Sequence, residues 1–238
     1  MTTFSKGFIS RKGLGWPATA ARAQVGNPLG VKVHYEGTVS PVRDHAYCKS
    51  YWTGIRNSHL ANTKEGYSDI AYSMGVCRHG YVLEGRGPGH QTAANGNQAL
   101  NRAHYSVCVL YGTNDHSVTE AVVTGVREAI QYLREHGAGK EIKGHRDGYA
   151  TACPGDPLYA LVKSGKFEPV KASTPRSIDK VNTDMTPEQD ARLKRIEEGL
   201  AQKPWTYKNP KLTGDVPDMH QRVLDIEKKL DAILAKLK

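Results

Sequence analysis

Apolar positions form short runs in some parts of this chain and recur at three- and four-residue steps in others. Residues 31–35, VKVHY, read as a short buried strand that ends at His34 and Tyr35. Asp44 can cap a helix through about His59, because Cys48, Tyr51, Trp52, Ile55 and His59 recur at helical spacing. Residues 70–77, IAYSMGVC, read as a strand, and Arg78-His79-Gly80 as a hairpin turn into residues 81–86. A Gly/Asn-rich loop follows at 87–97, then a second apolar strand at 105–112, YSVCVLYG. Residues 119–136 predict a helix with Ala121, Val122, Val126, Ile130 and Leu133 on one face, ended by Gly137. EIKGH, residues 141–145, leads as a strand into GHRDGYATACPGD. Strands and helices alternate without strict strand–helix–strand repetition, and one hairpin is clear. The pattern predicts an α/β fold with a mixed central sheet flanked by helices.

The character changes after about Phe167. Residues 168–184 read as a linker, and residues 185–238 as a helical C-terminal region. A helix starts at Thr186-Pro187-Glu188 and carries Leu193, Ile196 and Leu200; residues 204–217 are broken by Pro and Gly. Met219, Val223, Ile226, Leu230, Ile233 and Leu237 then alternate steps of four and three, a heptad seam. That last helix either oligomerises as a coiled coil or docks on the main domain. Residues 1–27 read as an extension packed on a domain spanning 28–167.

The chain has 238 residues, enough for one domain of roughly 150 residues plus something smaller. Mean hydropathy is −0.57. No run approaches the ~20 apolar residues of a membrane span, so membrane insertion is not expected. The N-terminus lacks the apolar core of a secretory signal, so no signal peptide is expected. Net charge is +9, and it is uneven: residues 1–179 carry 21 basic and 14 acidic side chains, the remainder 12 and 10. A basic domain suits an anionic partner, or it serves only solubility. No aromatic-basic signature points to nucleic acid, which is not an expected partner.

Four cysteines occur, Cys48, Cys77, Cys108 and Cys153, with no CxxC pair, which excludes a four-cysteine zinc knuckle. Cys48, Cys77 and Cys108 lie in apolar patterns and read as inert core thiols. His145 and Cys153 lie in one Gly/Pro-punctuated stretch. They either share a metal or are unrelated. A third ligand would have to come from elsewhere, and His34, at the end of an apolar strand, is the best of the ten histidines. His145-Arg146-Asp147 lacks the asparagine and Gly-rich loop of a kinase, and EGRGPGH lacks the Gly-Lys-Ser/Thr of a phosphate loop.

Several collinear segments within about residues 28–165 resemble the zinc-dependent N-acetylmuramoyl-L-alanine amidases, the superfamily of phage amidase endolysins and peptidoglycan-recognition proteins. They are VHYEGT, GYSDIAYSMGVCRHGYVLEGR, GHQTAANGNQALNRAHYSVCVLYG and GHRDGYATACPGD. The resemblance implies one zinc ion held by His34, His145 and Cys153, with Tyr72 and Thr151 as catalytic residues. The family's asparagine falls on Asn101, and His59 and His90 either line the groove or are structural. Some members carry a lysine where this chain has Thr151, and some a glutamate where it has Val109, so the resemblance assigns no general base. It implies hydrolysis of the amide between N-acetylmuramic acid and L-alanine in bacterial peptidoglycan by a zinc-activated water. With no signal peptide, the setting it suggests is a phage endolysin, held in the host cytoplasm until holin-mediated release to the wall. The other readings are a non-catalytic peptidoglycan-recognition module and a virion-associated structural protein assembled through its last helix as a homo-oligomer.

Overall fold

Side chains alternate sides along a strand. The second strand therefore sends Val31 and Val33 to one face of the sheet and Lys32 and His34 to the other. The structure is a computed structural model that describes residues 2–169. In chain order its elements are β1 (Phe8–Ile9), β2 (Gly30–Tyr35), α1 (Ala46–Ala61), β3 (Met74–Val76) and β4 (Val82–Glu84). They continue with α2 (Gln98–Ala103), β5 (His104–Val109), α3 (Glu120–Glu135), β6 (Glu141–Gly144) and α4 (Asp156–Lys163). The strands form one sheet in the order β1-β4-β3-β5-β2-β6. Every neighbouring pair is parallel except the β3–β4 hairpin, so the sheet is mixed.

The two faces differ in chemistry. On one, Val31, Val33, Tyr105, Val107 and Val109 meet Val122, Val126, Ile130 and Leu133 of α3 and Leu158 and Val162 of α4. The four named α3 side chains are fully buried, each worth about 1.5–3 kcal/mol against exposure. Thr119 caps α3 by accepting the Val122 amide at 3.4 Å. On the other face Trp52 of α1 packs with Trp16, Ile70, Leu83, Cys108 and Leu110. That face also holds a buried polar group that includes Lys32, His34, Asn95 and Ser106. The sheet is thus sealed by apolar contact on one side, and on the other it carries both a core and a polar site.

The N-terminal segment joins the sheet: β1 pairs with β4, and Arg11 reaches Asp69 at 2.8 Å. Arg56 meets the same carboxylate at 2.7 Å, and both guanidinium groups lie over the ring of Trp16.

Three local expectations change. The strand expected over 70–77 is formed only at 74–76. Before it, the backbone bonds to loops instead of a ladder: the Ala71 amide donates to His59 Nδ1, the Ala71 carbonyl accepts from Ala93, and the Tyr72 carbonyl accepts from Arg86. The Gly/Asn-rich loop runs directly into a helix, because Asn97 caps α2 by accepting the Leu100 amide at 2.9 Å. Cys48 and Cys77, expected as inert core thiols, each face an imidazole: Cys48 Sγ lies 3.4 Å from His79 Nδ1 and Cys77 Sγ 3.8 Å from His45 Nδ1. The helices expected over residues 185–238, and nearly all of the expected linker, lie outside the described residues.

Candidate metal centre

The parallel register of β2 and β6 sets Val33 opposite Gly144, so the next residues, His34 and His145, fall side by side. Their ring centroids are 4.5 Å apart. The loop after β6 returns Cys153 beneath them, with its Sγ 3.6 Å from His34 Nδ1. Two contacts fix that return: the Tyr35 amide donates to Cys153 Sγ at 3.4 Å, and the Cys153 amide donates to Thr151 Oγ1 at 3.2 Å. The three ligand-type atoms of His34, His145 and Cys153 all lie within 4.8 Å of one another. A sulfur and a nitrogen on a tetrahedral zinc would be about 3.5 Å apart.

Asn95 sets the orientation of His34. Its Nδ2 donates to the carbonyls of His104 at 2.8 Å and Leu100 at 3.2 Å. Its Oδ1 must therefore face His34 Nε2, which lies at 2.9 Å. Oδ1 can only accept, so Nε2 carries the proton and the lone pair sits on Nδ1, toward Cys153. This is the arrangement that orients metal-binding histidines. Asn101, matched from the resemblance, stands one layer further out: its Oδ1 accepts the Asn95 amide at 2.8 Å.

The electrostatics keep the imidazoles free of protons. Burial, then His145, pushes His34 down to about 3. Burial, then Lys32, pushes His145 down to about 4. Both imidazoles are neutral at pH 7, as ligands must be. Burial pushes the Cys153 thiol up to about 11, against the pull of the Tyr35 amide. His145 Nε2 is buried with no hydrogen-bond partner. Two neutral imidazoles, one of them with an orphaned ring nitrogen, and a thiol fit zinc by type and by spacing.

Around the triad, Tyr72 stands edge-on to His34 at 5.6 Å between centroids and packs against Trp52 and His59. Burial drives its phenol well above 10, so it remains a donor through neutral pH. Tyr149, which the sequence did not single out, stacks on His145 at 5.3 Å with an interplanar angle of 9°, and is 44% exposed. His59 is engaged through Nδ1 by the Ala71 amide, and His90 bonds the Pro88 carbonyl through its own Nδ1 and pairs with Ala23. Neither joins the triad. Val109 faces the α3 core, so the glutamate position of other members would not reach the triad in this chain. Glu36, just past β2, is a carboxyl pushed up to about 7 by burial, with the Tyr51 hydroxyl donating to it. A cleft of about 400 Å³ bordered by Tyr35, Asp115, Arg146 and Pro154 lies beside the cysteine loop but is lined by none of the three ligands.

No family model matches the chain. A human N-acetylmuramoyl-L-alanine amidase is 30% identical over 164 residues, which is 64% of this chain and 27% of the relative. Drosophila melanogaster peptidoglycan-recognition protein SD is 24% identical over 139 residues, 57% of this chain and 72% of the relative. The chain thus spans about a quarter of the length of the human amidase it matches. Among solved structures, Drosophila peptidoglycan-recognition protein LB superposes with a TM-score of 0.59 at 19% identity, covering 68% of this chain and 95% of that one. By sequence the chain is similar to N-acetylmuramoyl-L-alanine amidases and peptidoglycan-recognition proteins, and its fold is that of the solved peptidoglycan-recognition proteins.

Proposed function

We propose that this chain hydrolyses the amide bond between N-acetylmuramic acid and L-alanine in bacterial peptidoglycan. The observation that carries the reading is the convergence of His34, His145 and Cys153, with His34 held by Asn95 so that its free lone pair faces the cysteine. Held by these three residues, a zinc ion supplies a Lewis acid and an activated water. Asn95 keeps His34 in the tautomer that can ligate. The protonated phenol of Tyr72 donates to the carbonyl oxygen as negative charge collects there. Thr151 Oγ1 accepts the Cys153 amide, which holds the cysteine loop, and its own hydrogen is left to donate to water or substrate. The exposed ring of Tyr149 gives a sugar or peptide an apolar face beside His145. The excess of basic residues over residues 1–179 favours an anionic wall.

The test is mass spectrometry of purified peptidoglycan after incubation with the protein, with and without chelator, beside His145→Ala. Release of stem peptides with a free L-alanine amine, lost on chelation and in the variant, is expected. Intact peptidoglycan that still binds the protein would replace this reading with a recognition module.

A further inference from the structure

We propose that this chain carries a second, structural zinc site formed by His45, Cys48, Cys77 and His79. The four come from two short pieces of chain. His45 and Cys48 lie three residues apart at the start of α1, and Cys77 and His79 flank one residue in the β3–β4 turn. Neither piece contains a CxxC pair, and the fold alone brings them together.

The geometry fits four-coordinate zinc. Cys48 Sγ lies 3.4 Å from His79 Nδ1, and Cys77 Sγ lies 3.8 Å from His45 Nδ1 and 3.9 Å from His79 Nδ1. One ligand atom from each of the four residues lies within 4.8 Å of every other. Tetrahedral zinc sets a sulfur and a nitrogen about 3.5 Å apart, and these three sulfur–nitrogen distances differ from that by only tenths of an ångström. Two thiolates and two imidazoles are a common closed zinc set, and softness and geometry favour zinc over calcium or magnesium.

Hydrogen bonds and ring packing position both pieces of chain. In the turn, the Gly80 amide donates to the Cys77 carbonyl, and the Cys77 amide donates to the Tyr81 carbonyl. Gly80 has φ of +82°, and a Cβ there would come within 2.4 Å of the Ala121 carbonyl, so the turn is seated against the start of α3. The His45 ring stacks on Tyr81 at 3.4 Å and 16°. Both cysteines are buried, while both histidines are half-buried. A small cleft of about 20 Å³, bordered by Asp44, Cys48, Cys77 and His79, gives an ion a route in.

Four protein ligands leave no open position for water, so the site is structural and shares no residue with the triad. Its effect is to bind the start of α1 to the β3–β4 hairpin. α1 carries Trp52, which packs on Tyr72.

The test is zinc content of the full chain, purified under reducing conditions and measured by inductively coupled plasma mass spectrometry. Two zinc ions per chain are expected. His145→Ala/Cys153→Ser should keep one, and Cys48→Ser/Cys77→Ser should keep the other or fail to fold. The decisive chain is His145→Ala/Cys153→Ser, because its substitutions lie outside the proposed site. Loaded with cobalt, it should show thiolate-to-cobalt charge-transfer absorption. Loss of all zinc from that chain would overturn the proposal. So would a Cys48–Cys77 disulfide, seen as two thiols that resist alkylation in the unfolded, unreduced chain. A wild-type chain without amidase activity, beside a His145→Ala/Cys153→Ser chain that still holds one zinc, would refute the amidase reading and leave this one standing.

Discussion

Asn95→Ala separates positioning from presence of the metal ligands. All three proposed ligands remain, and only the group that orients one of them is lost. Asn95 is fully buried and makes three side-chain hydrogen bonds, to His34 Nε2 and to the carbonyls of His104 and Leu100. Truncation leaves the buried Nε2–H without an acceptor and two carbonyls with one partner fewer. An unsatisfied buried donor costs about 1–3 kcal/mol, and the two weakened carbonyls place the loss near the top of that range. His34 is then free to turn and to exchange tautomers, so part of the zinc affinity goes with the bond. Loss of such an outer partner weakens metal binding about 10–100-fold, or about 1.4–2.7 kcal/mol. The assay is competition against a chromophoric chelator, following the zinc that Cys153→Ser removes, beside urea melts. Asn95→Asp sharpens it. A carboxylate still accepts from Nε2–H but faces two carbonyls with no donor, so this variant should be the less stable of the two and the better zinc binder. A change in affinity under about threefold for Asn95→Ala, or equal losses in both variants, would refute the argument.

Three further outcomes are expected. Tyr72→Phe should lower kcat by about 10²–10³-fold with little change in zinc content or KM, because it removes only a donor to the developing oxyanion; an equal rise in KM would assign the hydroxyl to ground-state binding. Asp69→Asn should cost about 3–5 kcal/mol in urea melts, since Arg11 and Arg56 lose their buried counter-charge. Burial raises the Asp69 carboxyl, but Thr19, Arg56, the Ile70 amide and Arg11 together hold it below 3.8, so its contribution is present above that pH and fades as pH falls through the lowered value. The gap between wild type and Asp69→Asn should therefore narrow in acid, and a gap constant down to the acid transition would refute the assignment. Gly75→Ala should destabilise by about 1–3 kcal/mol, because its Cβ would lie 2.9 Å from the Trp52 ring; a neutral thermal melt would show that α1 can shift.

The elements with strong local patterns were legible in the chain itself. α3 follows from Val122, Val126, Ile130 and Leu133 at helical spacing between Thr119 and Gly137, because burying one stripe needs no knowledge of what covers it. β2, the β3–β4 hairpin and β5 were legible for the same reason, with shorter bounds for β3 because its first residues bond to loops. The short α2 and α4 were not, since a turn or two of helix carries too few apolar positions to show a period. His145 and Cys153 could be paired from their shared loop, His34 stood out at the end of an apolar strand, and resemblance supplied Tyr72 and Thr151.

What the sequence determined by itself was the mixed α/β class, the strongly patterned elements and the ligand types that a zinc chemistry needs. Only the tertiary structure decided which residues meet. The parallel register of β2 and β6 sets His34 beside His145, and Asn95, pinned by two carbonyls from another part of the chain, chooses the nitrogen of His34 that faces Cys153. The same physics gathers His45 and Cys48 with Cys77 and His79, whose thiols look apolar in isolation. A side chain's type is written locally, but its partners are set by strand register and packing, which couple residues far apart in sequence.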